Sequence, residues 1–447
     1  MNGMLTVIRN AWVDTQLRKK ILYTLFIIIL FRLGSNIFVP FLDNSAIATM
    51  MGDASLLNYL DAMTGGSLGK GTLLAMSITP YINAQIIIQL LTVAIPPLEK
   101  LSKEGEEGRK KLNTITKITS LAIAVLQATA FYFTLRNGTS QNDQHIAILK
   151  YGDVLYGRND DMFAVVLSAI CIIACFVAGA SVIIWFGDRI NEHGIGNGIS
   201  MILFAGIIAN IPSTVQYFFE LCKQDMKNIV SVLIYLIVLV AMIWFVIFIT
   251  NAERRIPVQY AKRVVGRKMY GGQSTHIPIK VAMSGVMPII FAMSLMSLPQ
   301  TICYFFGIDG TGEGFWHGFV RLFSQSSPLY AVIYFLLIIA FNYFYVSISY
   351  NPVEIANNLK KNNGAIPGYR PGKPTSDYIY NSLNKITLIG AIFLGIIAIF
   401  PIIFSLVTKL NVYLGGTTML IVVGVALETV RSLESQIMVH HHKGFLD

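Results

Sequence analysis

The sequence predicts an all-α membrane protein with about ten transmembrane helices. Hydrophobic residues make up 54% of the 447 residues and charged residues only 13%, whereas soluble domains carry about 25% charged residues. The mean hydropathy is +0.61. Long apolar runs, near or above the roughly 18 residues that indicate a spanning helix, alternate with short polar connectors. Because lipid offers no partner to backbone amides, such runs should be helices.

Ten apolar runs are the candidate spans, numbered 1 to 10 in chain order. Span 1 follows a polar N-terminal stretch and lacks a small-residue cleavage site, so it is expected to be a retained span rather than a signal peptide. The predicted limits are 21–39, 73–95, 115–135, 162–186, 195–211, 229–249, 281–303, 329–347, 386–407 and 413–430.

The basic residues alternate between the two sides of the membrane. The N-terminus, the even-to-odd connectors and the C-terminus together hold 25 of the 34 Lys and Arg residues, and connectors 100–117 and 254–280 are the richest. By the positive-inside rule these segments, and therefore both termini, are cytoplasmic. The net charge of +10 then reflects topology and attraction to anionic lipids more than nucleic-acid binding.

The ten spans divide into two halves of opposite orientation. Residues 1–211 carry spans 1 to 5, an external hinge connector follows at 212–228, residues 229–430 carry spans 6 to 10, and 431–447 form a cytoplasmic tail. An odd number of spans per half predicts an inverted repeat, which typically has a conduction path between its halves. A short echo agrees with this: Ala-Met-Ser precedes Pro80 and Ile82 in span 2, and the same triplet precedes Pro288 and Ile290 in span 7.

Residues 56–70, between spans 1 and 2, form an amphipathic stretch with a glycine-rich end. This stretch is too short and too polar to span. Two interpretations stay open on these residues alone. One is a re-entrant helix in a protein-lined cavity, where irregular backbone is tolerated, and the other is an external loop with one helical turn.

Two cytoplasmic connectors, 251–280 and 350–385, are longer than topology requires and carry Pro, Gly and Tyr. They are expected to protrude, fold and recognise a partner.

The sequence lacks the patterns of an enzyme or a metalloprotein. The Gly69-Lys70 pair breaks the P-loop pattern, the cysteines are scattered, and no catalytic constellation is found. No metal, no cofactor and no enzymatic activity is expected. A secondary transporter also fits ten spans and an inverted repeat, but acidic residues are nearly absent from the spans, which weighs against proton coupling.

Seven stretches, in order along nearly the whole chain, carry a family resemblance. They are FRLGS at 31–35, ITPYINAQIIIQLL at 78–91, KEGEEGRKKL at 103–112, GIGNGIS at 194–200, YAKRVVGRKMYGGQSTHIPIKV at 260–281, NPVEIANNLKKNNGAIPGYRPG at 351–372 and GGTTMLIVV at 415–423. Together they resemble the SecY family, the central subunit of the bacterial protein-export channel. The external connectors 136–161 and 309–328 match this family poorly.

The resemblance implies an hourglass pore closed at mid-membrane by a ring of aliphatic side chains. Carried over position by position, the ring consists of Ile78, Ile82, Ile199, Leu203, Ile290 and Ile421. Leu203 departs from the isoleucine common at its position but keeps its chemistry. Branched apolar side chains would dewet the constriction and resist ions, yet part around a peptide without breaking hydrogen bonds.

The resemblance also implies a plug and a lateral gate. The plug would be segment 56–70, which seals the ring from outside, with the residues Leu57, Tyr59, Leu60 and Met63 and the hinge glycines Gly65, Gly66 and Gly69. The gate would open between spans 2 and 3 on one side and spans 7 and 8 on the other. Polar residues that could line it are Asn83, Gln85, Gln89, Gln127 and Ser294, although ordinary interhelical hydrogen bonding is an equal explanation for each.

The family's two long cytoplasmic loops receive the ribosome or the motor ATPase SecA. Here the basic residues of those loops are Arg254, Arg255, Lys262, Arg263, Arg267, Lys268 and Arg370. The resemblance further implies SecE-like and SecG-like membrane subunits, signal sequences and nascent polypeptides as partners, and a multi-pass location in the bacterial plasma membrane. The implied function is translocation of unfolded polypeptides and lateral release of membrane helices. Arg32, deep in span 1, is expected to be a structural residue at a helix contact.

Overall fold

The computed structural model places a helix in each of the ten predicted spans. It describes residues 12–44, 47, 61, 64–136, 139–141, 144–146, 148–149, 162–224, 226–260, 263–265, 268–270, 274–305, 314–323, 327–408 and 416–443. The helices of spans 1 to 10 are Thr15–Gly34, Thr79–Ala94, Glu106–Arg136, Met162–His193, Gly198–Ala209, Met226–Asn251, Met287–Phe305, Pro328–Ser349, Lys373–Thr408 and Gly416–Lys443. The prediction of a helical membrane protein is confirmed.

Within the described residues, six helical segments are long and apolar enough to cross a membrane by themselves. They are Glu106–Arg136, Met162–His193, Gly198–Lys223, Val232–Asn251, Pro328–Lys361 and Lys373–Phe404. A seventh is added if Thr79–Ala94 and Pro96–Lys103, which meet at a bend of 102°, count as one span. The bend lies at a proline pair, where a helix cannot continue its hydrogen-bond ladder.

Spans 2 and 7 begin later than predicted. The predicted starts were residues 73 and 281, but the helices begin at Thr79 and Met287, each after a stretch of turns. Hydropathy does not distinguish an apolar turn from an apolar helix, because both are buried. By contrast, the helices of spans 3, 4 and 9 run several residues beyond the apolar runs into the neighbouring connectors, and the helix of span 10 runs into the C-terminal tail.

The connector 212–228 is not an irregular hinge. Helix Ile211–Gln224 occupies most of it, and the helix of span 6 begins at Met226. Pro212 stands at the second helical position, where its missing N–H is not needed. Val215 and Phe219, both exposed, lie four residues apart on one apolar face.

One large apolar core joins the two halves. Its buried members come from every span except span 3, and a second core joins span 3 to span 4 and to the segments around span 1's external end. Span 7 of the C-terminal half packs against both span 2 and span 3 of the N-terminal half.

The two long connectors, which the charge pattern predicts to be cytoplasmic, fold into one unit. In the first loop, strand β3 (Glu253–Tyr260) pairs antiparallel with β6 (Ser274–Lys280), and the short strands β4 (Arg263–Val265) and β5 (Lys268–Tyr270) pair between them. From the second loop, β7 (Gly364–Ala365) adds to the other edge of β3. Strands β1 (Thr139–Gln141) and β2 (Gln144–Ile146) form a separate hairpin on the opposite side.

A small apolar core fixes the cytoplasmic unit to span 9. Its members are Ile256, Val258, Ile279, Leu359, Ile366, Ile379, Leu383 and Ile386. Because they come from both loops, from helix Pro352–Lys361 and from the first turns of the span 9 helix, the loops cannot move independently of that helix.

Candidate functional site

Each half contains the same glycine contact, in front of span 2 in one half and in front of span 7 in the other. In the N-terminal half, the Cα of Gly179 on span 4 lies so close to the carbonyl of Leu73 that a Cβ would overlap the oxygen. In the C-terminal half, Gly390 on span 9 lies in the same way against the carbonyl of Val281. Leu73 and Val281 occupy the same place relative to the helix that follows, so the two contacts correspond.

A second pair of equivalent positions, one in each half, has a left-handed backbone conformation. Ser77 has φ +48° and Gly285 has φ +60°, and each precedes its helix by two residues. The left-handed conformation is unfavourable for a serine, so packing must hold Ser77 in it. By these backbone features, Ser77 corresponds to Gly285. Alignment of the two Ala-Met-Ser triplets would shift this correspondence by one residue.

The prolines that follow the two Ala-Met-Ser triplets occupy equivalent positions in their helices. Pro80 and Pro288 are each the second residue of their helix, a position where proline's fixed φ favours helix initiation. Ile82 and Ile290 are then each the fourth residue, in the first turn. The two halves therefore present an isoleucine from the same place in the same local structure.

All six residues implied for the aliphatic ring belong to the main apolar core or pack against it. Five of them, from spans 2, 5, 7 and 10, are buried in the same cluster, and the sixth, half-buried, packs against it. The buried five are Ile78, Ile82, Leu203, Ile290 and Ile421, and the sixth is Ile199. The structure thus brings together side chains of both halves that are far apart in the sequence.

The external segment 56–70 is described only in part. Leu57, Tyr59, Leu60 and Met63 lie outside the described residues. The glycine-rich end is described from residue 64 onward, and its residues are mostly buried, so protein covers this backbone.

Two of its glycines hold a left-handed turn. Gly65 has φ +72° and Gly66 has φ +80°, which glycine adopts without steric cost. Gly65 lies against the backbone of Gly206 in span 5, while Gly66 has only the side chain of Asn210 nearby. The third glycine of the segment, Gly69, lies beside the Asp61 carboxylate.

Two charged side chains form hydrogen bonds with the backbone of this turn. Arg32 of span 1 donates a hydrogen bond from a guanidinium nitrogen to the Gly65 carbonyl oxygen at 2.9 Å. Asp61 accepts a hydrogen bond from the Gly69 N–H at 2.7 Å through Oδ1, and its own carbonyl accepts one from Gly66 N–H at 3.0 Å. Arg32 is therefore a contact between span 1 and the glycine turn, which the sequence did not indicate.

Burial raises the pKa of the Asp61 carboxyl, although the N–H groups of Gly69 and Leu68 and the charge of Lys70 oppose the shift. A raised pKa in the folded state means that this group stabilises the fold at pH values below its unfolded pKa of about 3.9. That contribution is lost as the pH rises through the folded pKa. Ionised Asp61 is thus a cost near neutral pH.

Asp61→Asn is expected to raise the unfolding temperature slightly at neutral pH, because the amide oxygen can still accept the Gly69 N–H without a buried charge. The difference from the unsubstituted protein should shrink as the pH falls through the raised pKa of the folded state, where the carboxyl becomes neutral. Thermal unfolding of the purified protein across this pH range measures both quantities. A lower unfolding temperature for Asp61→Asn at neutral pH would contradict this account.

The residues implied for the lateral gate lie on helices that meet. Asn83 of span 2 is buried, and its Oδ1 accepts no hydrogen bond from the described part of the chain. A buried unpaired acceptor is uncommon and calls for a physical reason. The other four residues are half-buried: Gln85, Gln89, Gln127 and Ser294. They lie on spans 2, 3 and 7, and these three helices pack together.

The cytoplasmic residues implied for partner binding are partly described. Arg254 and Arg255 are exposed on β3, where Arg255 forms an ion pair with Glu253 at 2.8 Å. Lys262 and Arg267 lie outside the described residues, and of Arg263 and Lys268 the structure describes only the paired backbone of β4 and β5.

Arg370 stands on a short turn between two glycines. Gly368 has φ +88° and Gly372 has φ +109°. The Thr375 hydroxyl donates to the Arg370 carbonyl at 2.8 Å, and the neighbouring Tyr369 ring lies against that of Tyr378 at 4.3 Å between centroids. The turn is therefore fixed while the guanidinium is exposed.

These features define a polytopic helical membrane protein whose two halves meet at a shared aliphatic core. The SecY family model matches residues 72–430. A protein translocase subunit SecY of Streptomyces scabiei is 40% identical over 99% of this chain and 100% of its own length. The chain belongs to the SecY family.

Two solved structures share the fold. One, of a SecY protein whose plug domain stabilises the closed state of the translocation channel, has a TM-score of 0.64 and 19% identity, and covers 94% of this chain and 93% of its own. The other, Sec61 in the canine ribosome-channel complex from the endoplasmic reticulum, has a TM-score of 0.62 and 16% identity, and covers 94% of this chain and 93% of its own.

Proposed function

We propose that this chain is a protein-conducting channel, which passes unfolded secretory polypeptides across the membrane and releases membrane helices sideways into it. The observation that carries the proposal is that six aliphatic side chains from spans 2, 5, 7 and 10 belong to, or pack against, one apolar core shared by the two halves. The full-length similarity to protein translocase subunits supports it. A channel of this kind catalyses no reaction, and energy comes from its partners.

The six side chains, Ile78, Ile82, Ile199, Leu203, Ile290 and Ile421, act as the seal of the resting channel. Contacts between branched apolar groups are non-directional, so they re-form around a chain of any sequence. An aliphatic constriction excludes ions by dewetting. A secondary transporter would instead need polar or charged groups to bind its solute at this level.

The glycine turn at residues 64–70 is the inner anchor of a plug formed by segment 56–70. The hydrogen bond from Arg32 to Gly65 and the packing of Gly65 on Gly206 support this role, because both hold the turn against spans 1 and 5. The solved SecY structure that concerns the plug domain supports it by its fold.

The lateral gate lies where span 7 meets spans 2 and 3. The buried Oδ1 of Asn83 accepts no hydrogen bond from the part of the chain that the structure describes. A signal sequence that enters the seam can donate a backbone N–H to this oxygen. Gln85, Gln89, Gln127 and Ser294 offer further polar contacts that lipid cannot replace.

The cytoplasmic unit is the docking surface for a ribosome or a SecA-like motor ATPase. Exposed Arg254, Arg255 and Arg370 present guanidinium groups, which pair with RNA phosphate or with carboxylate. The ribosome-bound Sec61 structure supports the first of these partners. Small SecE-like and SecG-like subunits complete the assembly in the bacterial plasma membrane, with both termini cytoplasmic.

Replacing Ile82 or Ile290 with Asn is expected to raise the resting ion conductance several-fold, because an amide in the seal retains water. Conductance of the reconstituted channel in planar bilayers measures this. Ile87→Asn, the same change at an exposed position of the same helix, is the matched control and should leave conductance unchanged. Equal conductance in all four proteins would remove the sealing role from these residues, and with it the main support for a channel.

Arg370→Glu is expected to reduce motor-driven export several-fold, because it replaces an exposed fixed cation of the docking surface with an anion. Import of a secretory precursor into inverted membrane vesicles with added motor ATPase measures the effect. Lys361→Glu, an equal charge change at an exposed residue of the same loop, is the control. Export that falls equally in both variants would indicate a general charge effect rather than a role for Arg370.

A further inference from the structure

The external connector between spans 7 and 8 contains an amphipathic helix that the proposed channel function does not use. This helix, Phe315–Leu322, follows span 7 and precedes span 8. With 3.6 residues per turn, its large apolar residues and Phe323 fall on one side, while His317, Gly318 and Arg321 fall on the other.

The apolar side has two edges with different surroundings. One edge faces the protein: Val320 is only 5% exposed, and Phe323 packs against the main core. The other edge points away from it: Phe315 is 81% exposed and Leu322 is 41% exposed. Trp316, 57% exposed, stands at the N-terminal end of the same side.

The place of the helix in the chain sets its height relative to the membrane. The helix packs against span 7, whose external end it follows. Five residue steps separate Phe323 from Pro328, the first residue of span 8, so the chain can rise at most ~18 Å between them. Both neighbours are membrane-spanning helices, and the helix must lie near the level where they emerge.

The chemistry of the exposed edge fits lipid at that level. Aromatic residues are enriched at membrane interfaces, where they occupy the boundary between head groups and acyl chains. An amphipathic helix with such a face and a basic residue on the other lies in the plane of the interface. Arg321, which is exposed, has a guanidinium that can reach head-group phosphates.

We propose that helix Phe315–Leu322 is an interfacial anchor whose Phe315 and Leu322 insert into the outer leaflet of the bilayer. Its occupant is lipid, because the helix lies near the level where two membrane-spanning helices emerge, and Phe315 and Leu322 on its outward edge are exposed apolar side chains. The anchor fixes the external end of span 7, so that this helix can move sideways only by carrying the anchor along the membrane surface. This inference does not depend on what the channel transports.

The test places a nitroxide spin label at single cysteines in the full chain, assembled with its membrane partners in nanodiscs of phosphatidylethanolamine and phosphatidylglycerol. Cys171, Cys175, Cys222 and Cys303, the native cysteines, are first replaced by Ala. Phe315→Cys and Leu322→Cys probe the proposed lipid edge. Gly318→Cys is the control on the polar side, where an added Cβ meets no atom within 4 Å.

Collision with oxygen, which concentrates in lipid, and with a water-soluble nickel chelate is then measured by power saturation. Oxygen collisions should exceed nickel collisions several-fold at positions 315 and 322, and the ratio of oxygen to nickel collisions should be clearly lower at 318. Nickel collisions that dominate at all three positions would place the helix in water and overturn the proposal. Low collision rates with both reagents at 315 and 322 would show that protein covers the face, which also overturns it.

Discussion

Alanine at Gly390 or at Gly179 is expected to destabilise the protein strongly. At each position the new Cβ would overlap a backbone carbonyl oxygen, that of Val281 or that of Leu73. A backbone atom cannot turn away as a side chain can, so the helix and the turn in front of span 2 or span 7 must separate. Overpacking of this kind costs about 1–3 kcal/mol or more.

Thermal unfolding of each purified variant, together with its amount in the membrane, measures this effect. Gly318→Ala is the matched control, since an added methyl group meets no neighbour there and alanine favours a helix over glycine by up to ~1 kcal/mol. That control should be neutral or more stable. Unfolding temperatures for Gly179→Ala and Gly390→Ala equal to that of the control would show that neither contact is tight.

Gly65→Ala is expected to open the resting channel. It places a Cβ 2.9 Å from the Gly206 carbonyl oxygen and 3.0 Å from a guanidinium nitrogen of Arg32, in a backbone with φ +72°. The turn must shift away from span 5, and the hydrogen bond from Arg32 is strained or lost. Ion conductance of the reconstituted channel without substrate should therefore rise several-fold.

Gly66→Ala separates backbone strain from steric overlap. Its φ is +80°, so both substitutions pay the left-handed cost of about 1–2 kcal/mol. However, a Cβ at residue 66 would meet only Asn210 Oδ1, at the ordinary distance of 3.5 Å. Conductance should be clearly lower in Gly66→Ala than in Gly65→Ala. Equal conductance would mean that the packing of Gly65 on span 5 does not hold the plug.

Hydropathy and charge were sufficient to predict the ten spans, because both follow from residue types alone. They were insufficient for the starts of spans 2 and 7. Residues 73–78 are mostly apolar whether they form a helix or a turn, and residue type does not indicate the left-handed φ of Ser77. The same limit explains why helix Ile211–Gln224 was interpreted as a connector: it is amphipathic rather than uniformly apolar.

The candidate site was predicted mainly through the family resemblance, and its six aliphatic residues belong to the main apolar core or pack against it. The sequence did not indicate which residues that are distant along the chain contact each other in the fold. The cost of a charge in a span indicated that Arg32 is a structural residue at a helix contact, but not that it binds the Gly65 carbonyl. Likewise, nothing local indicated that β7 pairs with β3, since strand pairing between separate connectors depends on the whole fold.

The pairing of β7 with β3 has a practical meaning for protein engineering. Gln259 and Tyr260 lie opposite Ala365 and Gly364, and the two connectors share side chains in one small core. In a chimera that takes only one connector from a relative, the β3–β7 pair and the small core would combine residues of two different proteins. Those residues would not be matched to each other. Functional hybrids should therefore require both connectors, together with the first turns of the span 9 helix, to be transplanted as a set.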